Sequence, residues 1–395
     1  MMISSENDQL ERPTPVYFYD LKLLEDTLKS IVTATQYKQQ IVHYAFKANA
    51  NKPILNLIHK YGLGADCVSG NEIKLALDSG FPPSSIVFAG VGKTDDEICY
   101  ALENQIFCFN CESIQEIEVI NTHANRMNKK AHIAIRINPN IDAHTHAFIT
   151  TGVNENKFGI GVQQLEAVLQ LIRKSESIVI EGIHFHIGSQ ITKMYVFREL
   201  CAKINQVNAW FVDQGIRLNH INVGGGLGID YDAPDDNPIP DFHHYFNLFD
   251  QFIVRDEKQQ LHFELGRSIV GQCGSLLSKV LYLKEGISTN FVICDAGMTE
   301  LIRPALYQAK HQIDNISSCV SKTGRYDVVG PVCESSDCFG RGVELPLTKR
   351  GDIVAIRSAG AYGEVMASGY NLRRKVESIY SQEPVRSVIQ NFSLN

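Results

Sequence analysis

Clustered basic residues, long apolar runs and regularly spaced cysteines are missing from this sequence, and each absence excludes a class of protein. The net charge is -7 and no block of Lys and Arg would attract nucleic acid or an anionic membrane. No apolar run approaches the ~18 residues of a membrane-spanning helix. The start MMISSENDQLERPTP lacks the apolar core of a signal peptide and the Arg/Ser bias of a transit peptide. We therefore predict a cytoplasmic protein whose partner is a small molecule, with no nucleic acid and no membrane involved.

The ten cysteines are scattered without the dense, regular pattern of a disulfide scaffold, so reduced thiols are expected. One CxxC motif joins Cys108 to Cys111. A zinc ribbon needs a second such pair, and a redox motif normally opens a helix in a thioredoxin-like unit. We interpret this motif as a chance spacing and predict no metal site.

Strand-like and helical patterns alternate through the first two thirds of the chain. Apolar runs such as IVHYAF, AHIAIRIN and LHFELG are separated by amphipathic stretches such as LEAVLQLIRK. At least seven strand-like runs each end in a polar or glycine-rich segment. The alternation favours an α/β fold of the (β/α)8 TIM type. A doubly wound sheet is the alternative, because alternation does not tell whether the sheet closes.

After about residue 275 the pattern changes to strands joined by turns, as in FVICDAGM, RYDVVGPVC and GDIVAIRSAGAYG. This pattern predicts a C-terminal β-sandwich or β-barrel domain. The early run TPVYFYD is also strand-like and could supply a strand to that domain. Since 395 residues favour two domains, we predict a barrel at residues 33–275 and a β domain made of residues 1–32 and 276–395.

Lys47 follows a strongly apolar, strand-like run and precedes a helix that Pro53 can begin. Active sites of (β/α)8 barrels lie at such strand ends. A lysine at this place is either an ordinary surface residue or an amine held for Schiff-base formation. The residue alone does not decide between the two.

Two histidines and a serine mark the end of another predicted strand, GIHFHIGSQ. His184 and His186 are two residues apart, so they project to the same face of a strand, and Ser189 follows a glycine. The histidines could share a metal, pack in the core or contact a cofactor. Because no H-E-x-x-H motif or acidic partner at ligand spacing is nearby, we rank metal binding below cofactor stacking.

Two further strand ends carry groups that suit a phosphorylated aromatic cofactor. INVGGGLG places Gly225 and Gly226 where backbone N–H groups can approach a phosphate, although glycine clusters also serve turns without a ligand. In LHFELGRS, Glu264 closes a strand and is followed by Gly266 and Arg267. A carboxylate against a pyridine nitrogen would keep that nitrogen protonated and strengthen the ring as an electron sink. Surface ion pairing is the ordinary alternative for these charged residues.

Motifs along nearly the whole chain occur in a fixed order: YAFKANAN, HFHIGSQ, GGGLG, ELGRS, DAGMTELIRPALY, GPVCESSD and GAYGEVMASGYN. This series resembles that of the alanine-racemase-fold, or fold type III, pyridoxal-phosphate-dependent decarboxylases. The RPALY and CES elements are more similar to the diaminopimelate decarboxylases than to the ornithine or arginine enzymes. The resemblance implies a barrel followed by a β domain, pyridoxal 5'-phosphate as cofactor, and a homodimer with shared active sites.

The resemblance also implies roles for the residues that match the family's motifs. Lys47 would carry the cofactor as a Schiff base, and Cys333 would deliver the proton that replaces carbon dioxide, unless it is a buried structural thiol. The cofactor-binding residues would be Lys47, His186, Ser189, Gly225, Gly226, Glu264, Gly266, Arg267 and Tyr370. The substrate-binding residues would be Arg267, Arg303, Tyr307, Glu334 and Tyr370. In that set the arginines would grip the carboxylate left on the product, and Glu334 would bind the distal amino group.

The implied reaction is the decarboxylation of meso-2,6-diaminopimelate to L-lysine and carbon dioxide, the last step of lysine biosynthesis. A related decarboxylase acting on D-lysine, D-ornithine or carboxynorspermidine is the first alternative, and a non-catalytic cofactor-binding homologue is the second. The chain departs from the family's usual motifs at Leu265, Ser336 and Gly369. Ser336 replaces a common glycine in the loop expected to set specificity, where an added side chain could change the pocket for the distal ammonium.

Overall fold

A computed structural model describes residues 14–36, 38–141, 157–318 and 320–383. Contacts divide them into two compact units. The barrel unit takes the described residues within Leu28–Gly228 and Asp241–Gly266, and the sheet unit takes those within Met1–Thr27, Ile229–Pro240 and Arg267–Asn395. The sequence predicts domain edges at residues 33 and 275. These edges stay a prediction, because a division by contacts does not test where a domain folds on its own.

The described strands are β1 (Val16–Asp20), β2 (Gln40–Ala45), β3 (Gly64–Cys67), β4 (Ile86–Phe88), β5 (Cys108–Cys111), β6 (Ala131–Asn138), β7 (Ile160–Gly161), β8 (Ile178–His184), β9 (His220–Asn222), β10 (Gln260–Leu265), β11 (Gly274–Glu285), β12 (Asn290–Cys294), β13 (Ile313–Asn315), β14 (Thr323–Val329), β15 (Cys338–Pro346), β16 (Ile353–Ile356) and β17 (Glu377–Ser381). The described α-helices are α1 (Leu21–Thr35), α2 (Lys52–Lys60), α3 (Gly70–Asp78), α4 (Asp95–Glu103), α5 (Ile114–Arg126), α6 (Leu165–Lys174), α7 (Met194–Asp213), α8 (Phe242–Phe252), α9 (Arg267–Val270) and α10 (Arg303–Tyr307).

The barrel unit is built on a parallel sheet that closes on itself. The strand order is β5-β4-β3-β2-β10-β9-β8-β6, with the short β7 beside β6. Strand β5 also pairs in parallel with β6, with Phe109 opposite Ile133, and this pairing joins the two edges. The predicted (β/α)8 barrel is therefore confirmed, and the doubly wound alternative is wrong because the sheet has no open edge between these strands.

The helices between the barrel strands begin where the sequence supplies capping residues. The side chains of Ser69, Thr94 and Ser113 accept the backbone N–H three residues onward at the starts of α3, α4 and α5. Strands β3, β4 and β5 are buried along their whole length, as expected for a parallel sheet covered by helices. Among the described residues, no helix combines the length and apolarity needed to cross a membrane.

The sheet unit contains one connected sheet of eight strands with mostly antiparallel pairing. Its order is β13-β16-β11-β12-β14-β15, and β1 pairs with β11 and with β17. The long strand β11 contributes its first half to the β1 and β16 ladders and its second half to the β12 ladder. Strand β1 lies within the run TPVYFYD, and its Val16 and Phe18 side chains pack in one buried cluster with Leu277 and Ile379. The N-terminal strand thus belongs to the sheet made largely from the C-terminal third of the chain.

Candidate active site

Lys47 lies directly after β2, at the carboxyl end of a barrel strand. It occupies a single 3-10 turn between Phe46 and Ala48, both of which are buried. The hydroxyl of Tyr44 donates to the carbonyl of Asn49 at 2.8 Å and closes the turn. The Lys47 side chain itself remains 40% exposed. The core therefore fixes the backbone on both sides of an accessible amine.

Asp66 on β3 is the carboxylate beside this amine. Its side chain is fully buried, and Oδ2 lies 3.5 Å from Lys47 Nζ. Apart from Lys47, no described group hydrogen-bonds either carboxylate oxygen. Burial and the nearby charge of Glu264 outweigh the effect of Lys47 and raise the pKa of Asp66 to about 7. Asp66 can therefore exchange a proton near neutral pH at a position next to Lys47.

Glu264 on β10 is a buried carboxylate with three hydrogen-bond partners. Oε1 accepts N–H groups from Asn110 at 2.8 Å and Asn222 at 2.7 Å, and Oε2 lies 3.0 Å from His184 Nε2. Burial opposes its ionisation, but His184 and Lys47 lower the pKa of Glu264 well below its ordinary value. Since a carboxylate offers about four lone-pair sites, this anion can accept one more N–H.

His186 lies beyond the end of β8, which stops at His184, so the two histidines do not act as a pair on one strand. The Nδ1 atom of His186 accepts the backbone N–H of Gly225 at 3.2 Å. Burial, reinforced by the charges of Arg136 and Lys47, lowers the pKa of His186. His186 is therefore a neutral ring at neutral pH. Among the described residues, no group of three His, Cys, Asp or Glu side chains is placed to hold a metal.

The glycines after β9 bring neighbouring strand ends close together. A Cβ on Gly225 would lie 1.9 Å from the carbonyl oxygen of Glu264, and Gly226 has a φ of +105°. The N–H of Gly225 is already donated to His186. In contrast, the N–H groups of Gly226 and Gly266 donate to no acceptor in the described part of the chain. Two such donors beside an exposed amine and a buried anion fit a phosphorylated pyridine ring.

In the sheet unit, two buried guanidinium groups converge on one phenol. Nη1 of Arg267 donates to the Tyr231 hydroxyl at 2.6 Å, and Nη1 of Arg303 donates to the same oxygen at 2.9 Å. The guanidinium carbon of Arg267 also lies 4.9 Å from the centre of the Tyr362 ring. Tyr307 ends helix α10, one turn after Arg303 at its start. This cluster concentrates positive charge around a neutral acceptor.

His311 is a second acceptor for the Nη1 group of Arg303. His311 Nδ1 donates to the carbonyl of Arg357 at 2.7 Å, which leaves Nε2 to accept from Arg303 Nη1 at 3.0 Å. Burial and the charge of Arg303 lower the pKa of His311 to about 3. The imidazole is therefore neutral at neutral pH and acts as an acceptor.

The loop that carries Cys333, Glu334 and Ser336 is exposed and is fixed at its base by Asp337. The buried Asp337 carboxylate accepts the N–H of Val332 at 2.7 Å and of Met298 at 2.6 Å. The Ser336 hydroxyl lies 3.4 Å from Glu334 Oε2. A hydrogen bond to the charged Glu334 raises the pKa of Tyr370, which is also exposed. Cys333 is exposed, so the alternative of a buried structural thiol is wrong.

The structure thus collects Lys47, His186 and Glu264 at the strand ends of the barrel unit, and it collects Arg267, Arg303 and Tyr307 in the sheet unit. Ser189 is half-buried in the segment between β8 and α7. The sequence reasoning missed the residues that hold these groups, namely Asp66, Asn110, His184 as a carboxylate partner, Asn222, Tyr231 and His311. For three of them a signal existed, because GADC, CFNC and HIN place Asp66, Asn110 and Asn222 in short strands that are buried throughout.

Comparisons with known proteins agree with this geometry. Residues 24–271 match the model of the pyridoxal-dependent decarboxylase family, pyridoxal binding domain. A diaminopimelate decarboxylase of Bacteroides thetaiotaomicron is 54% identical over 94% of this chain and 96% of its own length. One from Aquifex aeolicus is 38% identical over 93% of this chain and 86% of its own length.

Among solved structures, diaminopimelate decarboxylase from Helicobacter pylori complexed with L-lysine is similar over 98% of both chains, with a TM-score of 0.89 and 38% identity. The family match covers more than half of this chain, and the relatives extend the match over nearly all of it. The chain therefore belongs to the pyridoxal-dependent decarboxylases, and within them to the diaminopimelate decarboxylase family.

Proposed function

We propose that this chain decarboxylates meso-2,6-diaminopimelate to L-lysine and carbon dioxide with pyridoxal 5'-phosphate as cofactor. The observation that carries the choice of substrate is the pair of buried guanidinium groups around Tyr231. Paired guanidinium groups bind a carboxylate through parallel N–H donors. A product that keeps one carboxylate, as L-lysine does, suits this cluster, whereas a simple diamine product does not.

The barrel unit supplies most of the groups that would hold the cofactor, and Arg267 of the sheet unit is proposed as a further ligand. Lys47 would bind it covalently through its amine, and His186 would lie against its ring as a neutral imidazole. Gly226 and Gly266, with Ser189, Gly225 and Arg267, would hold the phosphate. Glu264 would accept the N–H of the ring nitrogen at its remaining lone pair. When bound, pyridoxal phosphate supplies the electron sink that loss of carbon dioxide requires.

The other proposed contacts lie in the sheet unit. Arg267, Arg303 and Tyr307 would bind the carboxylate that the product keeps, and Glu334 would bind the distal ammonium. Cys333 would donate the proton that replaces carbon dioxide, from Sγ. Tyr370 would contact both cofactor and substrate, and its hydrogen bond with Glu334, the proposed ammonium ligand, supports this role.

We further propose a cytoplasmic homodimer in which the loop around Cys333 serves the partner subunit's site. The support is that Cys333, Glu334 and Tyr370 are all exposed in the single chain. A proton donor and an ammonium ligand work best where water is excluded, and an exposed loop gains that environment only on contact with another surface. We retain residues 33–275 as the proposed cofactor-binding domain.

The test is product analysis by mass spectrometry after the cofactor-loaded protein is incubated with an equimolar mixture. The mixture contains meso-diaminopimelate, D-lysine, D-ornithine, L-ornithine, L-arginine and carboxynorspermidine. Preferential release of L-lysine from meso-diaminopimelate is the expected result. Preferential consumption of another component would assign a different substrate, and absence of turnover would favour a non-catalytic cofactor-binding protein.

A further inference from the structure

Tyr231 is the polar side chain at the centre of the cationic cluster, and nothing in the family motifs singled it out. Its oxygen accepts from Arg267 at 2.6 Å and from Arg303 at 2.9 Å. A phenol oxygen has two lone pairs. Both are used by guanidinium N–H groups, so the orientations of two separate arginines depend on one atom.

The ring of Tyr231 also packs against neighbouring side chains. It packs edge-on against His311 with ring centres 5.1 Å apart, and the guanidinium carbon of Arg303 lies 5.0 Å from the ring centre. His311 in turn accepts from Arg303 and donates to a backbone carbonyl. The Nη1 group of Arg303 therefore donates to two neighbouring neutral acceptors, Tyr231 and His311.

The charges of the cluster also favour the binding of an anion. Among the residues that the structure describes, no carboxylate forms an ion pair with Arg303. Burial opposes ionisation of Tyr231, but the charges of Arg267 and Arg303 outweigh burial and lower the pKa of its phenol. The Tyr231 O–H has no acceptor within the described residues, so this donor can serve a ligand.

We propose that Tyr231 is the positioning residue of the carboxylate site: it fixes the guanidinium groups of Arg267 and Arg303 and offers its own O–H to the substrate carboxylate. This inference rests on the proposed function, because it adds a fourth ligand, after Arg267, Arg303 and Tyr307, to the carboxylate that diaminopimelate keeps. The Nε and Nη2 groups of Arg303 donate to no acceptor among the described residues, so they stay available for that carboxylate. Tyr231 thereby selects substrates that carry the second carboxyl group.

The test uses the holoenzyme and a matched pair of ligands, L-lysine and 1,5-diaminopentane, which is L-lysine without its carboxyl group. Tyr231→Phe keeps the ring and removes the oxygen. We expect a rise of ~10–100-fold in the inhibition constant of L-lysine and in KM for meso-diaminopimelate, as for loss of hydrogen bonds to charged groups. The inhibition constant of 1,5-diaminopentane should change less than about twofold, and kcat less than about threefold, because neither depends on this contact.

Tyr282→Phe is the matched control, since Tyr282 is an exposed tyrosine of the same unit whose ring also faces an arginine, Arg350. If Tyr231→Phe weakens the binding of L-lysine and of 1,5-diaminopentane equally, the substitution disturbs the whole site and the proposal is overturned. So would unchanged binding of both. If wild-type protein fails to convert meso-diaminopimelate yet L-lysine binding still depends on Tyr231, the proposed function fails and the carboxylate site stands.

A second measurement distinguishes positioning from a contact made by Tyr231 alone. Arg303→Lys keeps the charge but loses the planar set of donors. If Tyr231 acts through Arg303, the double variant should bind L-lysine only slightly worse than the weaker-binding single variant. Fully multiplicative losses would mean that the two residues act independently, which contradicts the positioning role.

Discussion

The two buried polar clusters of this protein have opposite charges. In the barrel unit, Glu264 is an anion surrounded by donors from Asn110, Asn222 and His184. In the sheet unit, Arg267 and Arg303 are cations that surround the neutral acceptor Tyr231. In each cluster the charged groups are satisfied by neutral or weakly basic partners.

A buried charge costs several kcal/mol unless an opposite charge or strong hydrogen bonds compensate it. Neutral partners orient such a charge without cancelling it. The Glu264 cluster is thus built to receive a positively charged N–H, and the Tyr231 cluster is built to receive an anion. This difference supports our proposal that the first cluster binds the cofactor ring and the second recognises the substrate carboxylate.

The largest effect is expected from Glu264→Gln, which removes the negative charge of the barrel cluster and keeps the shape of the side chain. We expect kcat for L-lysine formation to fall roughly 10²–10³-fold, as when a group that stabilises transition-state charge is lost. KM for meso-diaminopimelate should change less than about threefold, because the proposed carboxylate ligands are other residues. Steady-state kinetics on cofactor-loaded protein measure both.

Glu181→Gln is the control for that experiment. Glu181 is a half-buried carboxylate on β8 that contacts His132 and Asn219 and none of the proposed ligands. A rise in KM without a fall in kcat for Glu264→Gln would mean that the two clusters do not divide the work in this way.

The next largest effect is expected from Gly225→Ala, which separates the strand ends that present Glu264. The added Cβ would lie 1.9 Å from a backbone carbonyl oxygen, and backbone cannot move aside as a flexible side chain can. We expect a loss of ~2–4 kcal/mol in the free energy of unfolding, measured by denaturant titration. Gly92→Ala is the control, because its Cβ would meet nothing within 4 Å. Equal stability of the two variants would mean that the strand ends are not in such close contact.

Much of this arrangement followed from the sequence, and the part that did not has a physical reason. The apolar runs and their spacing predicted the barrel, and motifs at strand ends located Lys47 and Glu264. Periodicity records which face of a strand a residue occupies, but not which distant side chain meets it. Asn110 donates to Glu264 from 154 positions away. Only closure of the barrel brings such residues together.

Asp66 is the second buried carboxylate near Glu264 in the barrel unit. Its pKa decides whether this barrel cluster carries one negative charge or two near neutral pH. Its pKa is raised from 3.8 to about 7. The folded protein therefore binds this proton more tightly than the unfolded chain, and the stability that results is present below pH ~4 and is lost as pH rises to ~7. We expect Asp66→Asn in the cofactor-free protein to gain stability relative to wild type between pH 5 and pH 8, approximately.

Thermal unfolding across that pH range measures the effect, and Asp96→Asn, at an exposed carboxylate on α4, is the control. A difference between Asp66→Asn and wild type that does not vary with pH would mean that Asp66 is ionised throughout. The barrel cluster would then hold two anions, and its match to a single positively charged ring would be wrong.

The smallest effect is expected from Ser336→Gly, which restores the residue usual in the family. The Ser336 hydroxyl lies 3.4 Å from Glu334 Oε2, at the long limit of a hydrogen bond, and both residues are exposed. We therefore expect KM for meso-diaminopimelate to change less than about fivefold, the equivalent of ~1 kcal/mol, with Ser335→Gly as the control from the same loop. Competition between meso-diaminopimelate and D-lysine measures whether the Ser336→Gly variant keeps its preference for meso-diaminopimelate. A larger change, or a switch to D-lysine, would place substrate selection in the loop around Glu334 as well as in the cluster around Tyr231.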